Sequence, residues 1–348
     1  MVENRRLRLK LDLLDSAQEF ARIIEGAGDR EELLLWFKKN QDEVARDLLK
    51  YGAVIFRGFQ LSRDDFKEIS ARISPQEMPY TNGATPREKI DEGLYLASDF
   101  PKELTLPQHH EMSYMRKWPM KVFFYCDLPP ESGGETPICS TRTFMERLSP
   151  RIIEKFSKLG VKYLRNYDGG IVTNWKQAFS TSDRKTVERV CIESHLDFEW
   201  KKDGNLRTWG SAQGLATHPF TNELLWHNHI INFTFRSTDD KSLPPILRMS
   251  AKGLPEGQLE RWVQADHVDL PMNAYYGDGT LIEQSVLDEV NDLLEEKKRF
   301  FPWQQGDMIV IDNMLAFHGR NAYQGNRKIL AILKDPYDSE SRFGLSAA

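Results

Sequence analysis

The sequence predicts a mainly β fold, a sandwich or barrel with helical buttresses. Two observations carry this. From about residue 94 the chain falls into short apolar runs: "KVFFYCDL", "VKYLRNY", "ELLWHNHIINFTF", "DMIVIDNMLAF" and "KILAIL". Between them stand "LPPESGGETP", "KKDGN", "GDG" and "AYQGN", rich in the Gly, Asn, Asp and Pro that turns require. No internal repeat, low-complexity tract or Gly/Ser linker marks a boundary, so residues 1–348 are read as a single domain.

The elements follow in order. "DREELLLWFKKNQDEVARDLLKYG" reads as an amphipathic helix with Asp29 as cap, Glu32 three residues on, and Gly52 as stop. "AVIFRGF" is a buried strand and "SRDDFKEISARI" a second capped helix, so the first ~75 residues look α-rich with one strand. Two helical pieces interrupt the β region. "TFMERLSPRIIEKFSKLG" breaks into two helices at Pro150. In "SVLDEVNDLLEEKKRF", Val286, Val290 and Leu293 share a face flanked by Leu287 and Leu294, and the stripe ends at Lys297 with a solvated last turn.

Composition narrows the class. A net charge of −5 argues against generic binding to nucleic acid or an acidic membrane. The three cysteines, Cys126, Cys139 and Cys191, form neither a CxxC pair nor a disulfide framework, which suits a reducing compartment. The start "MVENRRLRLKLDLL" has no signal-peptide core, and no run reaches the ~20 apolar residues of a membrane span. A cytoplasmic protein is expected.

Candidate functional residues centre on "LPQHHEMSY", residues 106–114, where two of only 8 histidines stand beside a glutamate. The stretch reads either as a polar loop or as part of a metal site. In an extended segment residues i and i+2 point the same way, so His109 and Glu111 would reach one ion while His110 points away. Two imidazoles and one carboxylate leave open positions on a redox-active iron, and the third arm must come from elsewhere. His318 supplies it, just after "DMIVIDNMLAF". Arg327 opens the next apolar run. Alone it reads as a surface ion-pair residue; in a barrel interior it makes sense if it meets an incoming carboxylate. "HNH" at 227–229 offers a rival pair of ligands, although no acid follows it at cupin spacing; the alternative is a pair of core histidines.

These stretches, with "GGETP", "WQQGDMIVIDNMLAFHGR" and "GNRKILAIL", resemble the TauD/TfdA family of iron(II)/2-oxoglutarate dioxygenases over roughly residues 50 to 335. Within it the chain is most similar to the branch containing the syringomycin-pathway amino-acid hydroxylase. The resemblance implies a double-stranded β-helix (jelly-roll) core, with the α-rich portion of about residues 1–75 packed on it. It implies that His109, Glu111 and His318 bind Fe(II). It places Thr136 and Arg327 on the distal carboxylate of 2-oxoglutarate, with O2 as the other cosubstrate. The implied reaction is hydroxylation of an unactivated carbon in an amino acid or amino-acid-derived unit, in natural-product biosynthesis. That unit is either free or tethered to a peptidyl carrier protein. Desaturation or epoxidation would use the same site. Glu111 stands where halogenating relatives carry a small residue, which favours hydroxylation over halogenation. Ala331 stands where taurine-type members carry a second arginine, so a sulfonate held in that manner is not expected. Two other classes stay open: a non-catalytic metal- or ligand-binding barrel, and a zinc hydrolase with the same ligands.

Three further residues are candidates for the substrate end. Asn82 and Arg87 lie in "PYTNGATPRE", either a rim segment ahead of the metal motif or a plain surface loop. Asp278, between glycines in "YYGDGTLI", is either a turn residue or part of a loop over the iron. Trp303, Cys126 and Cys139 are read as packing residues, and "EEKKR" as a solvated helix face.

Overall fold

The structure is a computed structural model that describes residues 10–26, 30–80, 87–98, 100–167, 174–234 and 266–339. An eight-stranded sheet dominates it. Its strands, in spatial order, are Lys10–Asp15, Phe20–Glu25, Ala53–Arg57, Met308–Asp312, Lys117–Leu128, Lys328–Asp338, Leu94–Leu96 and Lys89–Asp91. Neighbours run antiparallel except Phe20–Glu25 and Ala53–Arg57, whose parallel pairing is bridged by the helix Arg30–Tyr51.

The near-continuous apolar runs of this sheet arise because both its faces are covered. Phe123, Tyr125, Leu330 and Ile332 point into a core shared with the helices Arg30–Tyr51 and Arg63–Ile73. Their alternates Val122, Phe124, Ile329, Ala331 and Leu333 point the other way, into a second core with Met112, Trp118, Ile138 and Trp303. That second core meets a three-stranded sheet in the order Leu106–His109, Ala316–Arg320, Ile138–Ser140. Beyond it a third core is shared by the helices Thr141–Arg147, Pro150–Leu159 and Gln284–Lys297 and a four-stranded sheet. That sheet runs Asp197–Trp200, Leu206–Ala212, Val161–Tyr167, Met272–Tyr276.

Several local expectations hold. Ser62 caps its helix in a reciprocal box with Asp65. Pro150 stands in the first turn of the second of two helices, where its missing N–H is harmless. Gly52 ends the first helix at φ +73°; Asp29 lies outside the described residues.

Others are corrected. The N-terminal portion carries three strands rather than one, because Lys10–Asp15 and Phe20–Glu25 extend the large sheet. "ELLWHNHIINFTF" is not one strand: only Leu224–Trp226 is extended, and Ile230–Phe233 forms a helical turn that buries Ile230, Ile231 and Phe233. In Gln284–Lys297 the buried face is Val286, Leu287, Val290 and Leu294, and Lys297 is half-buried rather than fully solvated.

Candidate active site

His318 lies in the middle strand of the three-stranded sheet, directly opposite His109 in antiparallel register and beside Ile138 on its other side. Cross-strand partners present their side chains together, so two residues over 200 positions apart become neighbours. Their rings stand 4.5 Å apart between centroids. Gly319 makes this approach possible, since a Cβ there would come within 2.7 Å of the Leu106 carbonyl oxygen.

Glu111 joins them by a route that alternation does not describe. The strand ends at His109, and Glu111 sits in the turn that follows, with Met112 in the left-handed region at φ +57°. The turn is held from outside by Asn313. Its Oδ1 accepts the Glu111 N–H at 2.7 Å, and its Nδ2 donates to the Glu111 and Pro119 carbonyls at 2.9 and 2.8 Å. Asn313 is fixed in turn by its neighbour. Asp312 Oδ1 accepts from the Met314 and Leu315 amides, and its Oδ2 accepts from His218 Nε2 at 3.1 Å.

One ligand atom each from His109, Glu111 and His318 lies within 4.8 Å of the other two, and all three residues are buried. The set fits a metal. His109 Nδ1–H donates to the Pro107 carbonyl at 2.8 Å, which leaves Nε2 with a free lone pair. Both ring nitrogens of His318 are buried without a hydrogen-bond partner among the described residues, and its Nε2 stands 3.5 Å from Glu111 Oε2. Burial, then the nearby imidazoles of His318 and His229, keeps His109 neutral by lowering its pKa well below the usual range. Burial pushes the Glu111 carboxyl up, but Arg87 and the two imidazoles outweigh it and hold the group ionised, well below the usual carboxylate range. A neutral imidazole and an ionised carboxylate are the protonation states that ligation needs.

His110 turns away, as expected: its Nε2 meets Thr141 Oγ1 at 3.0 Å and its ring stacks on Phe317. The 227–229 histidines do not form a rival site. His227 stacks on His110 and faces Trp118, whereas His229 faces His109 and donates from Nδ1 to the His110 carbonyl. Among the described residues, the only cluster that could hold a metal is the triad.

A second polar group lies at the "GGETP" loop. Gly133 and Gly134 both have φ near +70°, and a Cβ on Gly134 would sit 3.0 Å from Arg327 Cδ. Arg327 packs into that space, with Nε donating to the Gly134 carbonyl at 2.9 Å. It has no carboxylate partner among the described residues. Burial first, then Arg320, pulls its pKa down to about 9. The buried Thr136 hydroxyl accepts from Trp303 Nε1 at 3.2 Å, so Trp303 is more than packing. Arg320 binds the carbonyls of Phe100, Pro101 and Leu104, each at 2.5 Å, and ties that loop to the strand bearing His318.

Of the substrate-end candidates, Arg87 is drawn in: its Nη2 donates to Glu111 Oε2 at 2.6 Å. Asp278 closes a surface turn by accepting from the Thr280 amide and hydroxyl, and among the described residues neither of these hydrogen bonds reaches the triad. Asn82 lies outside the described residues. Burial pushes the Cys126 and Cys139 thiols up to about 12, which makes them inert packing groups. Sequence reasoning missed Asn313. Its signal was a polar Asp-Asn pair inside an otherwise apolar run.

Asn313→Ala would strand one buried N–H and two carbonyls, at about 1–3 kcal/mol for each unsatisfied group. It is expected to lower the unfolding midpoint and to weaken metal binding roughly 10–100-fold, as loss of a ligand's support does. Chelator competition measures the second effect. Unchanged metal affinity in a folded variant would refute the supporting role.

A profile of the taurine catabolism dioxygenase TauD/TfdA family matches residues 25–333. The chain is similar to the dapdiamide synthesis protein DdaC of Enterobacter agglomerans, 31% identical over 83% of this chain and 84% of that protein. It is also similar to a clavaminate synthase-like protein of Arabidopsis thaliana, 29% identical over 81% of each. Its fold resembles the PvcB protein of Pseudomonas aeruginosa, with a TM-score of 0.52 at 15% identity over 96% of this chain and 93% of that one. The chain belongs to the taurine catabolism dioxygenase TauD/TfdA family and is an oxygenase with iron(II) and 2-oxoglutarate as its cofactors.

Proposed function

We propose that this oxygenase hydroxylates an unactivated carbon of an amino acid or amino-acid-derived unit, free or carrier-tethered, during natural-product biosynthesis. The observation that carries the chemistry is the pairing of a buried His109–Glu111–His318 triad with a half-buried arginine, Arg327, that has no carboxylate partner among the described residues and donates to the Gly134 carbonyl, two residues before the buried Thr136. His109, Glu111 and His318 hold the iron. Arg327 and Thr136 hold the distal carboxylate of 2-oxoglutarate, the arginine by charge and the hydroxyl by hydrogen bond. Bound iron and 2-oxoglutarate supply the oxidising chemistry. The protein keeps His109 neutral and Glu111 ionised, fixes Glu111 through Asn313, and walls the centre with Phe124, which faces His318 at 5.3 Å.

The amino-acid reading is supported by the likeness to a dapdiamide synthesis protein. We read residues 1–348 as one cytoplasmic domain, with the large and three-stranded sheets as the walls of a jelly roll. No described helix is long and apolar enough to cross a membrane.

The test is anaerobic addition of iron(II) and 2-oxoglutarate to metal-free protein. A visible charge-transfer band is expected in the parent and is expected to vanish in His318→Ala. With oxygen and the right amino acid, succinate then accumulates. Iron-loaded, folded parent protein without the band would sink the assignment of the cosubstrate site.

A further inference from the structure

Arg87 is an unusual buried arginine. Its side chain is 5% exposed, and among the described residues only Nη2 has an ion-pair partner, Glu111 Oε2. Nε and Nη1 are buried with no hydrogen-bond partner among the described residues. The guanidinium stands over the Tyr80 ring at 4.5 Å, which fixes its plane.

Arg57 shows what a purely structural arginine looks like in the same molecule. It meets Asp307 through both Nε and Nη2, and Nη2 also donates to the Pro302 carbonyl. Arg87 makes one contact where a fork could make two. Each buried donor left unmade costs about 1–3 kcal/mol. A residue serving only as counter-ion to Glu111 has no reason to carry that cost. Glu111 Oε2 lies 3.5 Å from His318 Nε2, so the idle donors sit beside the metal position rather than at a remote packing site. When Glu111 ligates a metal, its single charge is shared between a dication and Arg87, and the arginine is left under-compensated.

We propose that Arg87 anchors a free carboxylate of the substrate next to the Glu111 edge of the iron site, so that the enzyme acts on a free acid. This rests on the amino-acid reading above and selects between its two forms. The second hydrogen of Nη2, with Nη1 or Nε, offers a planar fork that a carboxylate fills with two charge-assisted hydrogen bonds. A thioester or amide at the same end presents one neutral carbonyl oxygen. It neutralises nothing and leaves a donor idle, so a unit joined through that carboxyl group to a carrier is disfavoured.

The test uses parent protein saturated with manganese(II) and 2-oxoglutarate, which binds without turning over. Two pools are added in turn: the proteinogenic amino acids as free acids, and the same compounds as carboxamides. Paramagnetic broadening of proton lines reports which members bind near the metal. At least one free acid is expected to broaden, with its carboxamide needing about 100-fold more for the same effect, the scale of losing a buried charge pair. Arg87→Met is expected to erase that preference, and Arg87→Lys to restore part of it. The acid-to-amide comparison in parent protein stands even if a variant misfolds. Equal broadening by both pools, broadening by neither, or a preference that survives in folded Arg87→Met overturns the anchor. The iron band tests the oxygenase reading separately. A parent that forms the band yet shows no acid preference loses only the Arg87 assignment.

Discussion

Arg327→Met is expected to raise the 2-oxoglutarate concentration needed for half-saturation by roughly 30- to 4,000-fold, the effect of removing one partner from a desolvated charge pair at about 2–5 kcal/mol. The same substitution is expected to stabilise the protein slightly when no 2-oxoglutarate is present. Both effects have one cause. In the free protein Arg327 has Gly134 O on Nε and no carboxylate among the described residues, and burial together with Arg320 pulls its pKa down to about 9. A cation in that setting is a local liability until an anion arrives. Methionine removes the liability and the anchor together. Titrating the anaerobic charge-transfer band measures the first effect, and thermal melts with and without 2-oxoglutarate measure the second. A half-saturation point within about threefold of the parent would show that Arg327 is not the anchor.

Under the proposed roles Arg327 and Arg87 would each receive a carboxylate. Arg327 lies by the glycine loop with no carboxylate partner among the described residues, and Arg87 lies beside Glu111 with Nε and Nη1 unpartnered among them. Binding would then complete the pairing of both cations, so ligand-dependent stability is the expected companion of recognition.

How much of this was legible in sequence depended on how local the determinant was. His109 could be named because it stands two residues before an acid in a stretch read as extended, and His318 because it directly follows an apolar run that predicts a strand. Glu111 was named by strand alternation, but the structure places it in a turn that depends on Asn313, 202 residues away. No local pattern encodes that hydrogen bond. The strands Lys10–Asp15 and Phe20–Glu25 were missed because Glu19, between them, and Ala21, inside the second, take positive φ and break the regular pattern. "HNHIINF" carries apolar residues that suit a strand as well as a helical turn, and packing against the third core selected the turn. Arg87 looked like rim because its neighbours are short and polar. Its burial comes from Tyr80 and Glu111 closing on it, which is tertiary information.

Acid should unfold the metal-free protein well before its carboxylates titrate. Four histidines are buried with lowered pKa values: His227 is brought down to about 3 and His229 to about 4, while His109 and His110 lie well below the usual range. In each case burial is the main cause, followed for His109, His110 and His227 by neighbouring imidazoles. The folded protein keeps these rings neutral, whereas the unfolded chain protonates them near pH 6.5. Below that pH the unfolded state binds more protons, so stability is complete above about 6.5 and falls as pH falls, levelling only near the folded-state values. Each ring contributes up to about 1.4 kcal/mol per pH unit. Four rings acting together at pH 5.5 approach the roughly 5–15 kcal/mol of a typical domain. Carboxylates held low, such as Glu111, add to the loss only below about pH 4.3. His227 isolates the effect. It is buried with both nitrogens lacking a partner among the described residues, and its ring contacts among them are His110 and Trp118. His227→Phe keeps a ring of similar shape and removes one proton site. Denaturant melts between pH 5 and 7 should show the parent losing stability steeply, and the variant losing it less steeply by about one proton's slope. The variant should also be at least as stable at pH 7, since no polar nitrogen is left unmade. An identical slope in the two proteins would mean that His227 is already protonated or hydrated in the fold, and the neutral buried cluster would have to be abandoned as the cause.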